Sequence, residues 1–281
     1  MSKHQRKKGT LIVIGGHEDK TDGKTILKEV ARMVGDGRLV VTTVASHQPE
    51  GYFEEYQRTF QDLGVKDVVE LAIAERAEAR QESRLDLLDG ARGIFFTGGD
   101  QLRITSQLGD TPIYSRVQQL YEEGGVVAGT SAGASVMSDV MLVSGESDES
   151  HRIGELQMAP GLGLIHGVVI DQHFAERGRM GRLLGAVAKN PRYVGIGIDE
   201  NTAVVVEGGE LLRVLGSGAV YVIDGATVTS SNIADAKQDC TLSIYDVRLH
   251  VLSQGDGFDL GRREPMDADQ LGKDPVAQDG R

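Results

Sequence analysis

The chain has a single cysteine, Cys240, among its 281 residues. No intramolecular disulfide can form, no thiolate metal site can be assembled, and the expected setting is a reducing compartment. Long apolar runs are also missing. No stretch approaches the roughly 20 residues that cross a bilayer, and the basic start (Lys3, Arg6, Lys7, Lys8) leads into an apolar run too brief for a secretory signal core. The expectation is a cytoplasmic protein without membrane contact. A third absence is basic surplus: 30 Lys and Arg stand against 42 Asp and Glu, a formal net charge of −12. Nucleic-acid binding needs a basic face and is not expected. Gly15-Gly16 follows the first apolar run, but no G-x-G-x-x-G is present, so the pair reads as a turn and not as a dinucleotide loop.

What is present is an ordinary globular mix, 40% apolar and 26% charged, in a chain long enough to build a full core. Short apolar runs at 11–14, 39–45, 68–73, 93–97 and 126–128 alternate with helical patterns at 24–34, 51–63, 75–88 and 112–123. The runs lack polar alternation, as strands of a parallel sheet covered on both faces do. The predicted class is α/β, with a doubly wound, mainly parallel sheet and helices on both faces. After residue 161 strand patterns dominate, at 167–171, 194–198, 203–206, 211–215, 219–223 and 240–252, with Gly208-Gly209 as a hairpin turn. No linker interrupts the pattern, so a single domain over 1–281 is expected, with 262–281 as a loosely ordered tail.

Ligands of such sheets gather at the carboxyl ends of strands. At one of them stands Gly129-Thr130-Ser131-Ala132-Gly133. A small-x-Ser-x-small string between a buried strand and a helix is the pattern of a nucleophile elbow. The glycines let strand and helix approach, and the serine sits exposed on a strained turn. A helix over 134–140 is expected to follow. The Ala132 amide is then placed to stabilise an oxyanion. The preceding strand ends in Gly98-Gly99-Asp100-Gln101, where a Gly99 or Asp100 amide can supply the second donor.

A serine hydroxyl needs a base, usually histidine. The chain offers His4, His17, His47, His151, His166, His173 and His250. His173 is favoured, because it follows the apolar run 167–171 at a strand's carboxyl end. His17 and His47 also lie at strand ends, among loop-like neighbours. The acid that orients the base is expected at the end of 194–198, where Asp199 and Glu200 are equally placed. The order Ser, His, acid departs from the Ser, acid, His order of α/β-hydrolases.

The strings GTSAGAS (129–135), FTGGDQ (96–101), DQHFAERGRMGRL (171–183) and GIGIDENTA (195–203) resemble the cyanophycinase family, serine-type exopeptidases related to peptidase E. The resemblance spans about 9–225 and implies a fold similar to class I glutamine amidotransferases, with Ser in place of Cys at the elbow. It assigns Ser131 as nucleophile, His173 as base and Glu200, in preference to Asp199, as acid. It places Gln101, Asp171, Gln172, Arg177, Arg179 and Arg182 around the substrate pocket. The implied substrate is cyanophycin, a poly-aspartate carrying arginine on each β-carboxyl, cut to β-aspartyl-arginine by a homodimer that needs no metal or cofactor. Arg forks suit the substrate carboxylates, and Asp171 suits a guanidinium. An aspartyl dipeptidase of the peptidase E type, or a glutaminase-like binding module, are the alternatives.

Overall fold

The computed structural model describes residues 8–47, 50–144, 156–235, 237 and 240–271. His4 and His151 lie outside the described residues.

The first half builds one wing of a large sheet. Strands β1 (Thr10–Ile14), β2 (Arg38–Thr42), β3 (Val68–Leu71), β4 (Ala91–Phe96) and β5 (Val126–Thr130) run parallel in the order β1-β5-β4-β2-β3. Their side chains explain the missing alternation. Leu11 and Val13 enter one core cluster while Ile12 and Ile14 enter another on the opposite face. Helices α1 (Thr25–Val34) and α2 (Tyr52–Asp62) cover the second face through Ile26, Leu27, Val30, Tyr56 and Phe60.

The predicted helix over 75–88 is instead broken. A 3-10 turn at Glu78–Arg80 stops at Gln81, whose extended backbone (φ −77°, ψ 133°) separates it from the one-turn α3 (Glu82–Leu85). Ala79 and Leu88 are the fully buried apolar residues of this stretch, and Leu85 and Leu87 pack only partly buried against the core. Beyond β4 lie α4 (Gln101–Leu108) and α5 (Pro112–Glu122), capped by the Asp100 and Thr111 side chains. The helix after β5 is one turn, α6 (Ala132–Ser135), not the expected 134–140. Val140 already opens β6 (Val140–Ser144), which pairs with β7 (Gln157–Pro160).

The second half does not simply extend the first sheet. Strands β8 (Val168–Gln172) and β9 (Val194–Ile198) pair in parallel, and β12 (Val220–Asp224) and β15 (Arg248–Leu252) add antiparallel strands, giving a separate sheet ordered β15-β12-β9-β8. Between them in the chain, β10 (Thr202–Glu207) and β11 (Leu211–Gly216) return to the large sheet beside β1, joined at Gly208-Gly209, both with positive φ. The predicted strand over 240–252 splits into β14 (Ile244–Tyr245), which pairs with β13 (Ser230–Ser231), and β15, with Asp246 at φ 62° between them. One apolar cluster joins Leu11, Val13 and Phe96 of the large sheet to Ile170, Ile196 and Val222 of the small one. The small sheet's outer face is closed by α7 (Met180–Lys189) through Leu183 and Val187. Gly195 and Gly197 of β9 permit that approach, lying against Leu183 and Phe174.

The stretch expected to be a loose tail carries structure where it is described. Glu264–Met266 forms β17, which pairs with β16 (Gly257–Asp259) at the end of the large sheet, and the last described residue, Leu271 of α8 (Ala268–Leu271), is buried against Gly257. Residues 272–281 lie outside the described residues. Among the described residues no helix is long and apolar enough to cross a membrane.

Candidate active site

Ser131 leaves β5 with φ 53° and ψ −112°, a conformation L-residues rarely adopt. The turn is held from three sides. Its amide donates to the Ile14 carbonyl at 3.0 Å, and its carbonyl accepts from the Ala134 and Ser135 amides, both at 3.0 Å. Gly129 and Gly133 are the residues that allow the turn, since a Cβ on Gly129 would meet the Gly133 backbone and one on Gly133 would meet Phe96.

Two strand ends of the small sheet meet this elbow. His173 follows β8 at φ 48°, and Glu200 follows β9. The Ser131 Oγ lies 2.9 Å from His173 Nε2, and His173 Nδ1 lies 2.6 Å from Glu200 Oε1. Serine, imidazole and carboxylate therefore form one hydrogen-bonded line, with the imidazole nearly buried and the carboxylate about one quarter exposed. Burial pushes the His173 imidazole below its ordinary value, assisted by the Arg177 charge and opposed by the bond to Glu200. Burial acts to raise Glu200, but the hydrogen bonds from His173 and His17 outweigh it and hold the carboxyl below the ordinary range. Asp199, the other carboxylate, is committed elsewhere: its oxygens accept from the Ala175 amide at 2.9 Å and the Ala219 amide at 3.1 Å.

The Ala132 amide, at the start of α6, makes no hydrogen bond among the described residues and stands next to Ser131. Of the two other oxyanion donors expected, Asp100 is excluded because its amide donates to the Ala45 carbonyl at 2.9 Å. Gly99 has no such partner among the described residues. Neither has Gly98, whose missing Cβ would stand 3.5 Å from Ser131 Cβ.

The model of peptidase family S51 matches residues 11–214. The chain belongs to this family. Membership makes it a serine-type peptidase. Among curated relatives, a protein of Synechococcus elongatus named cyanophycinase is 40% identical over 260 residues, 92% of this chain and 81% of that one. A cyanophycinase of Geminocystis herdmanii is 37% identical over 262 residues, covering 92% of this chain and 96% of that one. A solved peptidase from an acI-B1 actinobacterium superposes with a TM-score of 0.67 at 22% identity, over 91% of this chain and 98% of its own, a likeness of fold.

Within this S51 frame the residues expected to hold substrate divide sharply. Asp171 is fully buried and already paired. Arg182 Nε donates to its Oδ2 at 2.6 Å and Arg182 Nη2 to its Oδ1, while Arg179 Nη1 reaches Oδ1 at 3.2 Å. A carboxylate so occupied has no free face for a substrate guanidinium, which corrects the expected role of Asp171. Gln172 joins the same network: its Oε1 accepts from Arg179 Nη1 at 2.6 Å and its Nε2 donates to Ser135 Oγ at 3.3 Å. Burial brings the Arg179 guanidinium down to about 10, still cationic at neutral pH. Arg177, by contrast, is exposed, its amide donating to the His173 carbonyl at 3.1 Å. Gln101 Nε2 donates to the Leu142 carbonyl at 2.9 Å, anchoring α4 to β6.

The segment after β1, where the sequence offers a Gly15-Gly16 turn and a strand-end His17, lies at the site. The Gly15-Gly16 turn is also a hub. The Gly15 carbonyl accepts from the His173 amide and the Gly16 carbonyl from the Asn201 amide, both at 2.8 Å. His17 Nδ1 lies 2.8 Å from Glu200 Oε2. Glu18 is buried and accepts from Tyr56 and, at 2.6 Å, from Thr130, the residue before the nucleophile. Burial, then the Glu18 charge, hold the Tyr56 phenol far above its ordinary value. The only hint in the sequence was that this polar string follows directly on a buried strand. The other histidines stand apart: His47 and His166 are exposed, and His250 packs against Phe258.

Proposed function

We propose that this S51 peptidase degrades cyanophycin, multi-L-arginyl-poly-L-aspartate, as an exopeptidase that releases β-aspartyl-arginine dipeptides through an acyl-enzyme on Ser131. The chemistry rests on the hydrogen-bonded line from Ser131 through His173 to Glu200. The substrate rests on likeness to cyanophycinases along 92% of the chain.

In the first step Ser131 Oγ attacks a backbone α-peptide carbonyl carbon while His173 Nε2 takes its proton. The carbonyl oxygen becomes an oxyanion held by the Ala132 and Gly99 amides. Glu200 keeps the imidazole oriented and stabilises its charged form. The C–N bond then breaks as His173 returns the proton to the leaving amine, which leaves an ester on Ser131. Water attacks that ester, His173 takes its proton, and collapse frees the carboxylate of the acyl fragment and restores the hydroxyl. Every proton is carried by His173, and no cofactor enters these steps.

Arg177, exposed and close enough to lower the His173 imidazole, is placed to meet a substrate carboxylate. Arg179 and Arg182 act from behind, fixing Gln172 and the Asp171 strand end. The same reading takes the chain as one hydrolase domain acting as a cytoplasmic homodimer. The unpaired, exposed Cys240 is consistent with a reducing compartment.

The test is digestion of purified cyanophycin alongside α-aspartyl dipeptides. Release of β-aspartyl-arginine from the polymer supports the reading. Hydrolysis of the α-dipeptides alone would make the protein a dipeptidase of the peptidase E type, and no hydrolysis of either would favour a binding module.

A further inference from the structure

Glu200 serves two imidazoles. Its Oε1 meets His173 Nδ1 at 2.6 Å and its Oε2 meets His17 Nδ1 at 2.8 Å. The two rings stand edge to face with centroids 5.1 Å apart. His17 is itself held in place for this contact. It has φ 47° at the end of the Gly15-Gly16 hub, the Gly16 carbonyl ties it to Asn201, and the Asp19 amide donates to Asn201 Oδ1 at 3.0 Å. A left-handed backbone and two tethers are a large local cost for an exposed side chain with no role.

We propose that His17 is a positioning residue for the reaction, holding Glu200 so that Oε1 faces His173. This rests on the triad reading above. A carboxylate about one quarter exposed, with one oxygen bonded, can swing about its last torsion or turn toward water. A donor on Oε2 removes that freedom. With Glu200 ionised, His17 donates through Nδ1–H, and His173 Nδ1–H donates to Oε1. His173 Nε2 is then the lone-pair nitrogen facing Ser131, the tautomer that general-base chemistry requires.

The arrangement also has a pH consequence. Among the described residues, the charged or titratable groups facing His17 include Glu200 and His173, with Arg177 beside His173 and Glu176 accepting the Glu200 amide at 3.2 Å; Glu18 and Asp19 follow it in the chain. A proton on His17 places positive charge next to His173 and opposes imidazolium formation there. Removing His17 takes away that opposing charge and leaves Glu200 with one donor fewer, and both changes favour protonated His173.

The experiment compares His17→Ala, His17→Gln and Ser131→Ala in kcat, KM and the pH profile of kcat/KM on the polymer. His17→Ala is expected to lose about tenfold in kcat, the order expected for one partly exposed hydrogen bond to a charged group, with KM little changed. Its acid limb is expected to move to higher pH. His17→Gln restores a donor and is expected to recover most of kcat. The proposal is overturned if His17→Ala keeps full kcat and an unmoved acid limb, or if only KM rises, which would make His17 a substrate contact. Near-normal turnover by Ser131→Ala would instead remove the triad reading itself, so the two failures are distinguishable.

Discussion

Gly16 lies so close to the His173 ring that a side chain there would stand 2.6 Å from Nε2 and 2.8 Å from Nδ1. Those are the two atoms through which the imidazole touches Ser131 and Glu200. Gly16 also has φ 112°, which only glycine adopts without strain. Gly16→Ala must push the ring off its line, and a displacement near 1 Å costs about 10²-fold in rate. The expected outcome is a folded protein with kcat down by that order. A Gly16→Ala protein with full kcat would show that the ring's position tolerates such movement.

The buried pairing of Asp171 with Arg179 and Arg182 makes a stability prediction. Asp171→Ala removes the anion and leaves two guanidinium groups buried at the end of β8. Breaking a buried ion pair from one side costs about 3–5 kcal/mol, and urea unfolding should report a loss of that size. A loss under about 1 kcal/mol, typical of an exposed pair, would mean that solvent reaches the network.

Burial lowers the His173 imidazole from its ordinary 6.5, and Glu200 is also held below its ordinary value. Both groups are therefore in their working state, neutral and ionised respectively, at pH values where a free imidazole has begun to charge. The acid limb of kcat/KM is expected to have its midpoint below 6.5. The sign for folding is separate: because the unfolded imidazole takes a proton more readily, the stability this histidine supplies is full above 6.5 and falls as pH drops through that value. A midpoint above 6.5 would contradict the balance of burial against the Glu200 bond.

Much of this was legible beforehand, for identifiable reasons. The parallel wing could be read because both faces of β1, β2, β4 and β5 are buried, which suppresses polar alternation. The elbow could be read because only small residues fit at Gly129 and Gly133. The second sheet could not. VVIDQ and VGIGI look like strands of any buried sheet, and their partners across the sheet, such as Ile198 with Val220, are set by long-range packing. The choice between Asp199 and Glu200 was likewise open to spacing alone, since adjacent side chains at a strand end point apart and only the fold decides which faces the imidazole. Asp171 misled because an acid beside the base suits a cationic substrate. The two arginines that neutralise it stand 8 and 11 residues further on, across the turn into α7. His17 has loop-like neighbours in sequence, and its only cue is the close packing that two glycines after a buried strand permit.

The central claim is that Ser131 is the residue acylated. A fluorophosphonate reacts covalently with a serine activated by its base, so intact-mass and peptide mapping of the labelled protein tests it directly. The account predicts one adduct per chain, on Ser131, with release of β-aspartyl-arginine lost in parallel and no labelling of Ser131→Ala. An active protein that stays unlabelled at Ser131, or a Ser131→Ala protein that still turns over, would contradict it.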